Sequence, residues 1–458
     1  MAGIGLRLHR VVAGGTYLQA ATAYLSSAII TAGPWLSAVF WLGLLGSAAI
    51  AFMSQADRDL LIATITYAFC ASLLVTGGPQ LIVTRYLADR LYVEDREAIA
   101  PTCTGVTLLA FPILILALPF LILAPFDIRY RLLATSLFIT VSLIWMIVVF
   151  LSATRDYVRI VLVFLSSYAL SVLAALGLGR PFGLLGSLGG FTLGQLVCLC
   201  LLIAHVYLEF PPAPTFSLAF LGHGRRYWDL LLLGLCSAVG LWIDNILFWF
   251  SGNGVAIAHF YRIFPAYDVA KLIGYLSTIP AGAVFFVQLE TTFYIHYQRF
   301  YRLILEKGVL ADIVMARRGM QWAARSAVLT ILKIQGIAAM LILLLAPDLA
   351  RLLGVPASRV PMLRLLALGT SSQFVLMVSL LLLLYLDARR PALKVALVFA
   401  CSSASLTLLT LHLGTPFYGS GYTVAAALSA LLALAALHDR LKRLEYLTFM
   451  LQPMHPEG

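Results

Sequence analysis

A dozen apolar runs, most about twenty residues or longer and parted by short polar connections, restrict this 458-residue chain more than any other feature. They fall at 20–50, 60–84, 101–124, 132–153, 160–178 and 184–208, and again at 229–250, 270–290, 326–346, 361–386, 392–412 and 422–437. A helix needs about 20 apolar residues to cross ~30 Å of hydrocarbon. With 62% hydrophobic and 11% charged residues the chain cannot hide its apolar surface in a soluble core, since globular domains carry about 25% charged residues. The expected fold is therefore an all-α integral membrane protein of about twelve spans. Arg7 and Arg10 precede a long apolar region with no small-residue cleavage site, so the first span is expected to be retained. The six cysteines lie in or beside apolar runs and form no CxxC pair; they read as small buried hydrophobes rather than a disulfide frame or a metal site.

Charge sets the orientation. If the N-terminus is cytoplasmic, and basic residues within four positions of a run's end are counted with the adjoining connection, 21 of the 31 Lys and Arg residues belong to cytoplasmic segments and nine to outer ones, with Lys333 alone deep inside a span. The positive-inside rule then places both termini in the cytoplasm. The same distribution accounts for the net charge of +11, since the paired arginines anchor loops and no basic tract calls for a nucleic-acid partner. Residues 209–228 are the one Pro-rich connection and separate six runs from six. The expected organisation is a six-helix lobe at 1–210, a cytoplasmic linker at 211–228 and a second lobe at 229–458. That second lobe is expected to carry a cytoplasmic amphipathic helix at 291–325 and a cytoplasmic tail from His438. Transporters built this way place the substrate path between the two lobes.

The stretch 265–308 changes character twice. Leu272–Leu289 is almost wholly apolar, with Pro280 and Gly282 at its middle, which predicts a bent span. After Glu290 the apolar residues Phe293, Tyr297, Phe300 and Tyr301 recur at helical spacing among His296, Arg299 and Arg302, the pattern of an interfacial helix. Tyr297, Arg299, Tyr301 and Arg302 are the candidates for a partner interface, although lipid anchoring would use the same residue types.

Asp244 and Asn245 stand in the middle of the seventh run, where an ionisable group is costly unless it faces protein or water. Asp244 is a candidate for substrate contact or proton coupling; an ion pair with Lys333 made for packing is the plainer account. Glu290 either lines a cavity or caps the helix that follows it. Gln80 and Gln373 are weaker cavity candidates, because lone amides in spans commonly bond helix to helix. Asp268 with Lys271 is expected to form a surface ion pair at an outer mouth, and Arg85 with Asp89 an i,i+4 pair pinning the end of the second span. Gly33 with Pro34, and Gly77, Gly78 and Pro79, mark either bends or close packing.

The segments YDVAKLIGYLSTIP, VQLETTFYIHYQRFY, LLLLYLDARRPAL and PFYGSGY, with MAGIGLRL, TAGPWLS and TGGPQLIVTRYLADRLY towards the N-terminus, resemble the inner-membrane transporter of the Pel exopolysaccharide system (PelG). That family belongs to the broader polysaccharide and lipid flippase fold, related to the MATE and MOP transporters. The resemblance implies export of a galactosamine-rich biofilm polymer across the bacterial inner membrane. It also implies a cytoplasmic glycosyltransferase and other inner-membrane subunits of the synthase as partners, one of them a cyclic-di-GMP receptor. It implies no enzymatic activity and no cofactor. Three other functions compete. Asp57-Arg58-Asp59 is a literal DxD of the glycosyltransferase kind, but it falls in a short outer loop away from nucleotide sugars. A flippase for lipid-linked oligosaccharide or an ion-coupled antiporter would share the fold. A membrane scaffold for the synthase is the third.

Overall fold

A chain dissolved in lipid must satisfy its backbone polar groups within its own segments, and helices do so. The computed structural model describes residues 17–154, 157–211 and 215–450, and nearly all of them are helical. The first helices are α1 (Tyr17–Ala48), α2 (Gln55–Tyr92), α3 (Ile99–Thr107), α4 (Ala110–Leu123), α5 (Ile128–Thr154) and α6 (Tyr157–Glu209). A short α7 (Ala219–Arg226) and α8 (Trp228–Trp249) lead to an antiparallel hairpin, β1 (Val255–Ile257) and β2 (Tyr261–Ile263). Then come α9 (Pro265–Leu276), α10 (Ile279–Gln288), a π-helical segment Leu289–Phe293, α11 (Tyr294–Leu305), α12 (Leu310–Leu352), α13 (Val360–Tyr385), α14 (Arg389–Leu413), α15 (Ser420–Lys442) and α16 (Leu444–Met450). Among the described residues ten stretches are long and apolar enough to cross a membrane. One of them, Val158–Glu209, covers both the fifth and sixth expected runs. It is two helices meeting at Gly183, whose φ of 60° is a left-handed backbone that glycine adopts without Cβ strain. The segment MAGIGLRL, the side chain of Pro34, part of the 211–228 linker and the last residues of the tail lie outside the described residues.

The chain divides into two compact units, Ala32–Pro265 and a second made of residues up to Thr31 with those from Ala266 onward. The boundary differs from the expected one at 211–228, because α8 packs against α2 in the first unit. Glycines make that contact. A Cβ on Gly234 would sit 2.0 Å from the Gly77 carbonyl oxygen, and one on Gly78 would sit 2.7 Å from the Leu231 carbonyl oxygen. The two helix backbones therefore touch, as small residues allow in membranes. Gly77 and Gly78 serve close packing, and α2 continues through Pro79 to Tyr92. The core of this unit gathers Leu61, Tyr86, Val141, Phe150 and Phe191, all essentially inaccessible. The linker helix α7 lies against α2, where His223 meets the Tyr86 ring at 5.0 Å and its Nε2 is 3.5 Å from Asp89. Arg85 pairs with the same Asp89 at 3.1 Å, which ties down this end of α2.

In the second unit the expected amphipathic segment 291–325 takes a different form. Glu306–Val309 turn the chain, so α11 is separate and the later half is the beginning of the 43-residue α12. Nor does α11 start afresh at the membrane surface, because α10, the π segment and α11 run on without a break. Its aromatic face packs on protein: Phe293 and Tyr297 meet Tyr385 at 5.9 and 6.1 Å, and His296 meets Trp322 at 6.4 Å. Arg317 on α12 donates to the Lys442 carbonyl at 2.7 Å and pairs with Glu445 at 3.0 Å, fastening α16 to it. Cys200 and Cys401 are exposed rather than buried, which costs a small apolar side chain nothing where the solvent is lipid.

Candidate functional site

The sequence-derived site residues fall in both units. In the first, Asp244 is fully buried and Asn245 nearly so on α8. Lys333, the partner weighed for Asp244, is exposed on α12. Gln80 is half-buried and donates through Nε2 to the Trp145 carbonyl at 2.7 Å, while Trp145 donates through its indole nitrogen to Ser72 Oγ at 3.1 Å. That amide joins α2 to α5. Asp57, the first acid of the DxD, accepts a 2.7 Å bond from Ser54 Oγ, and its own N–H donates to the same Oγ at 3.1 Å. This reciprocal pair starts α2 as a helix cap.

In the second unit α9 ends at Leu276 and α10 begins two residues later, with Pro280 in its first turn, where the missing N–H leaves no intrahelical bond unmade. This break opens a polar cluster. Lys271, expected at the surface, is only 3% exposed, and its Nζ lies 4.4 Å from the centre of the Tyr422 ring. Contact with a ring face is one way to hold a desolvated ammonium. The Tyr422 hydroxyl donates to Gln373 Oε1 at 2.6 Å and lies 3.4 Å from the Tyr275 hydroxyl. In the same unit, Gln335 Nε2 on α12 donates to Ser371 Oγ on α13 at 2.9 Å and to Ser277 Oγ in the turn after α9 at 3.2 Å. Of the cluster, only Gln373 stood among the sequence candidates. Lys271 reads as peripheral in sequence because it stands three residues after Asp268 at the start of the eighth run, and Tyr422 sits 151 positions away on α15.

Glu290, 4% exposed, belongs to the π-helical segment Leu289–Phe293. Single π turns inside α-helices are frequent at functional sites, because the wider turn displaces a side chain from the regular helical face. The continuous helix gives Glu290 no N-terminus to cap. Arg299 and Arg302 of α11 are exposed, whereas Tyr297 and Tyr301 are half-buried, their rings tilted against each other at 4.7 Å. The two units thus bury carboxylates, amides, hydroxyls and one ammonium within segments that otherwise dissolve in lipid. Groups of this kind are costly in a span unless they face protein or water.

The fold matches solved transporters along almost its entire length. An outward-facing multidrug resistance MATE transporter of the MOP superfamily superposes with a TM-score of 0.69 at 14% identity, covering 97% of this chain and 100% of its own. A MOP superfamily transporter from Pyrococcus furiosus gives 0.67 at 14% identity, covering 97% and 99%. A Vibrio cholerae MATE transporter gives 0.63 at 13% identity, covering 92% and 97%. At such identities the likeness establishes the fold. No curated protein matches the chain. The family model described as "Putative exopolysaccharide Exporter (EPS-E)" matches residues 1–449. A multi-pass membrane chain with the MATE-like fold, matched by that model over all but its last nine positions, belongs to the PelG family.

Proposed function

We propose that the protein exports the Pel polysaccharide from the cytoplasm across the bacterial inner membrane during assembly of the biofilm matrix. The observation that carries this reading is the match of one exporter family model to residues 1–449. The polar cluster around Lys271, Tyr422 and Gln373 supports it, because sugars are bound by neutral donors and acceptors set beside aromatic rings. Cells with an intact synthase but without this protein are expected to retain polymer internally. Normal secretion from such cells would refute the export reading, and absence of polymer altogether would make the protein a scaffold of synthesis.

The cytoplasmic glycosyltransferase and the other synthase subunits, among them the cyclic-di-GMP receptor, are proposed to assemble on the cytoplasmic side. Arg299 and Arg302 offer exposed charge there. This orientation has both termini inside, which the distribution of basic residues favours. A cysteine placed at the exposed Glu306, in a background without the native cysteines, should stay unlabelled by an impermeant maleimide in intact cells and react in permeabilised ones. Labelling of intact cells would invert the topology.

A further inference from the structure

The first unit contains a cavity of about 220 Å³ that none of the residues considered so far lines. Its walls are the early part of α2, the later part of α4, the early part of α5, and the hairpin. Its polar and aromatic lining includes Thr64, Tyr67, Thr135, Phe120, Phe260 and Tyr261. The hairpin reverses through Ala258 and His259, both left-handed with φ of 49° and 58°, a tight turn achieved without glycine. Tyr67 anchors it. Its hydroxyl donates to the Arg262 carbonyl at 2.7 Å and accepts from the Arg262 N–H at 3.2 Å, so a side chain completes the edge of β2. Phe260, at the hairpin tip and 39% exposed, meets Phe120 and Phe126 at 5.8 and 5.5 Å.

The hydroxyls of the lining are mostly committed. Thr64 bonds the Tyr130 hydroxyl and the Leu60 carbonyl, and the Tyr130 hydroxyl lies 3.5 Å from that of Tyr261. Burial holds the Tyr261 phenol far above its ordinary pKa, with Tyr130 adding to the effect, so it stays a neutral hydroxyl. Thr135 is the exception. It is 5% exposed, and its Oγ1 has no hydrogen-bond partner among the described residues. A buried hydroxyl left unpaired costs ~1–3 kcal/mol, and a ligand hydroxyl or amide in the cavity would remove that cost.

We propose that this cavity binds one neutral pyranose unit of the exported polymer, its apolar face against the aromatic wall of Phe260 and Phe120 and a polar substituent bonded to Thr135 Oγ1. The size selects a single ring, because 220 Å³ is below the ~300–1,000 Å³ of sites for drug-sized ligands. The chemistry selects a neutral one. No lining residue carries an acid, a base or a guanidinium, so a phosphate, a uronate or a free amine would enter without a counter-charge. The mixture of ring faces with an unspent hydroxyl also separates a sugar from a hydrocarbon chain, which would leave Thr135 unpaired. In the orientation proposed above, the ends of α2, α4 and α5 that meet here face the periplasm, so the unit would be held on its way out.

This inference rests on the export reading, and its test is separate. Full-length protein in nanodiscs is titrated with N-acetylgalactosamine by saturation-transfer NMR, with decanol as the apolar competitor. Wild-type protein should bind saturably. Thr135→Val keeps shape and removes the hydroxyl, and should weaken binding about two- to tenfold, the range of one net hydrogen bond. Thr135→Ser should restore it. Phe260→Ala removes a ring from the partly exposed hairpin tip and carries the same test should Thr135→Val fail to fold. Absence of saturable binding, equal affinity in Thr135→Val, or decanol binding that Thr135→Val strengthens would overturn the subsite. Export that still requires the protein would then leave the functional reading standing.

Discussion

Replacing Gly234 by valine is expected to eliminate folded protein from the membrane fraction, whereas Gly43→Ala should leave its abundance unchanged. The Cβ at position 234 would lie 2.0 Å from the Gly77 carbonyl oxygen and 2.9 Å from the Gly78 Cα, so the obstacle is backbone rather than a movable side chain. Ordinary overpacking costs ~1–3 kcal/mol because side chains can shift. Here α8 would have to leave α2, and losses above about 4 kcal/mol arise from disruptions of this order. At Gly43 a Cβ meets nothing within 4 Å, and alanine in a helix interior is favoured over glycine by up to about 1 kcal/mol. Immunoblots of membranes and thermal unfolding of solubilised protein would read both variants. Wild-type abundance and stability for Gly234→Val would show that α2 and α8 are not in backbone contact.

The second large effect is expected at Lys271. Lys271→Met retains the length and the apolar stem of the side chain and removes its charge. Secreted polymer per unit of membrane-inserted protein should fall about tenfold or more, the consequence of losing one contact to a charged group worth ~1.5–3 kcal/mol. A charge inside a span costs ~2.5–3.5 kcal/mol on insertion scales, so a helix that needed only packing would be more stable without it. Full export by Lys271→Met protein would remove the cluster with Tyr422 and Gln373 from the mechanism. Reduced insertion with normal export per inserted molecule would assign Lys271 to folding alone.

What the sequence by itself determined is the solvent, the class of element and the family. Apolar runs of spanning length leave the backbone no choice but helix. Motifs such as VQLETTF and TGGPQLIVTRYL, spread from end to end, identify the family because their combination depends on order along the chain alone. The tertiary structure decided what those helices touch. Whether Gly77 and Gly78 bend a helix or admit another depends on Gly234, more than 150 positions later. The unit to which α8 belongs follows from that contact, not from the Pro-rich connection preceding it. Lys271 reads as peripheral in sequence because nothing beside it signals burial; Tyr422, which covers it, comes from α15. The π turn at Glu290 has no periodicity signal, since one extra residue per turn over five positions is invisible among ordinary helical spacings. The cavity of Tyr67, Thr135 and Phe260 draws on three helices and a hairpin, and its one unspent hydroxyl becomes visible only once every other partner is in place. Lipid solvation acts on each segment separately and is therefore legible in the chain, while packing and hydrogen-bond satisfaction are properties of pairs.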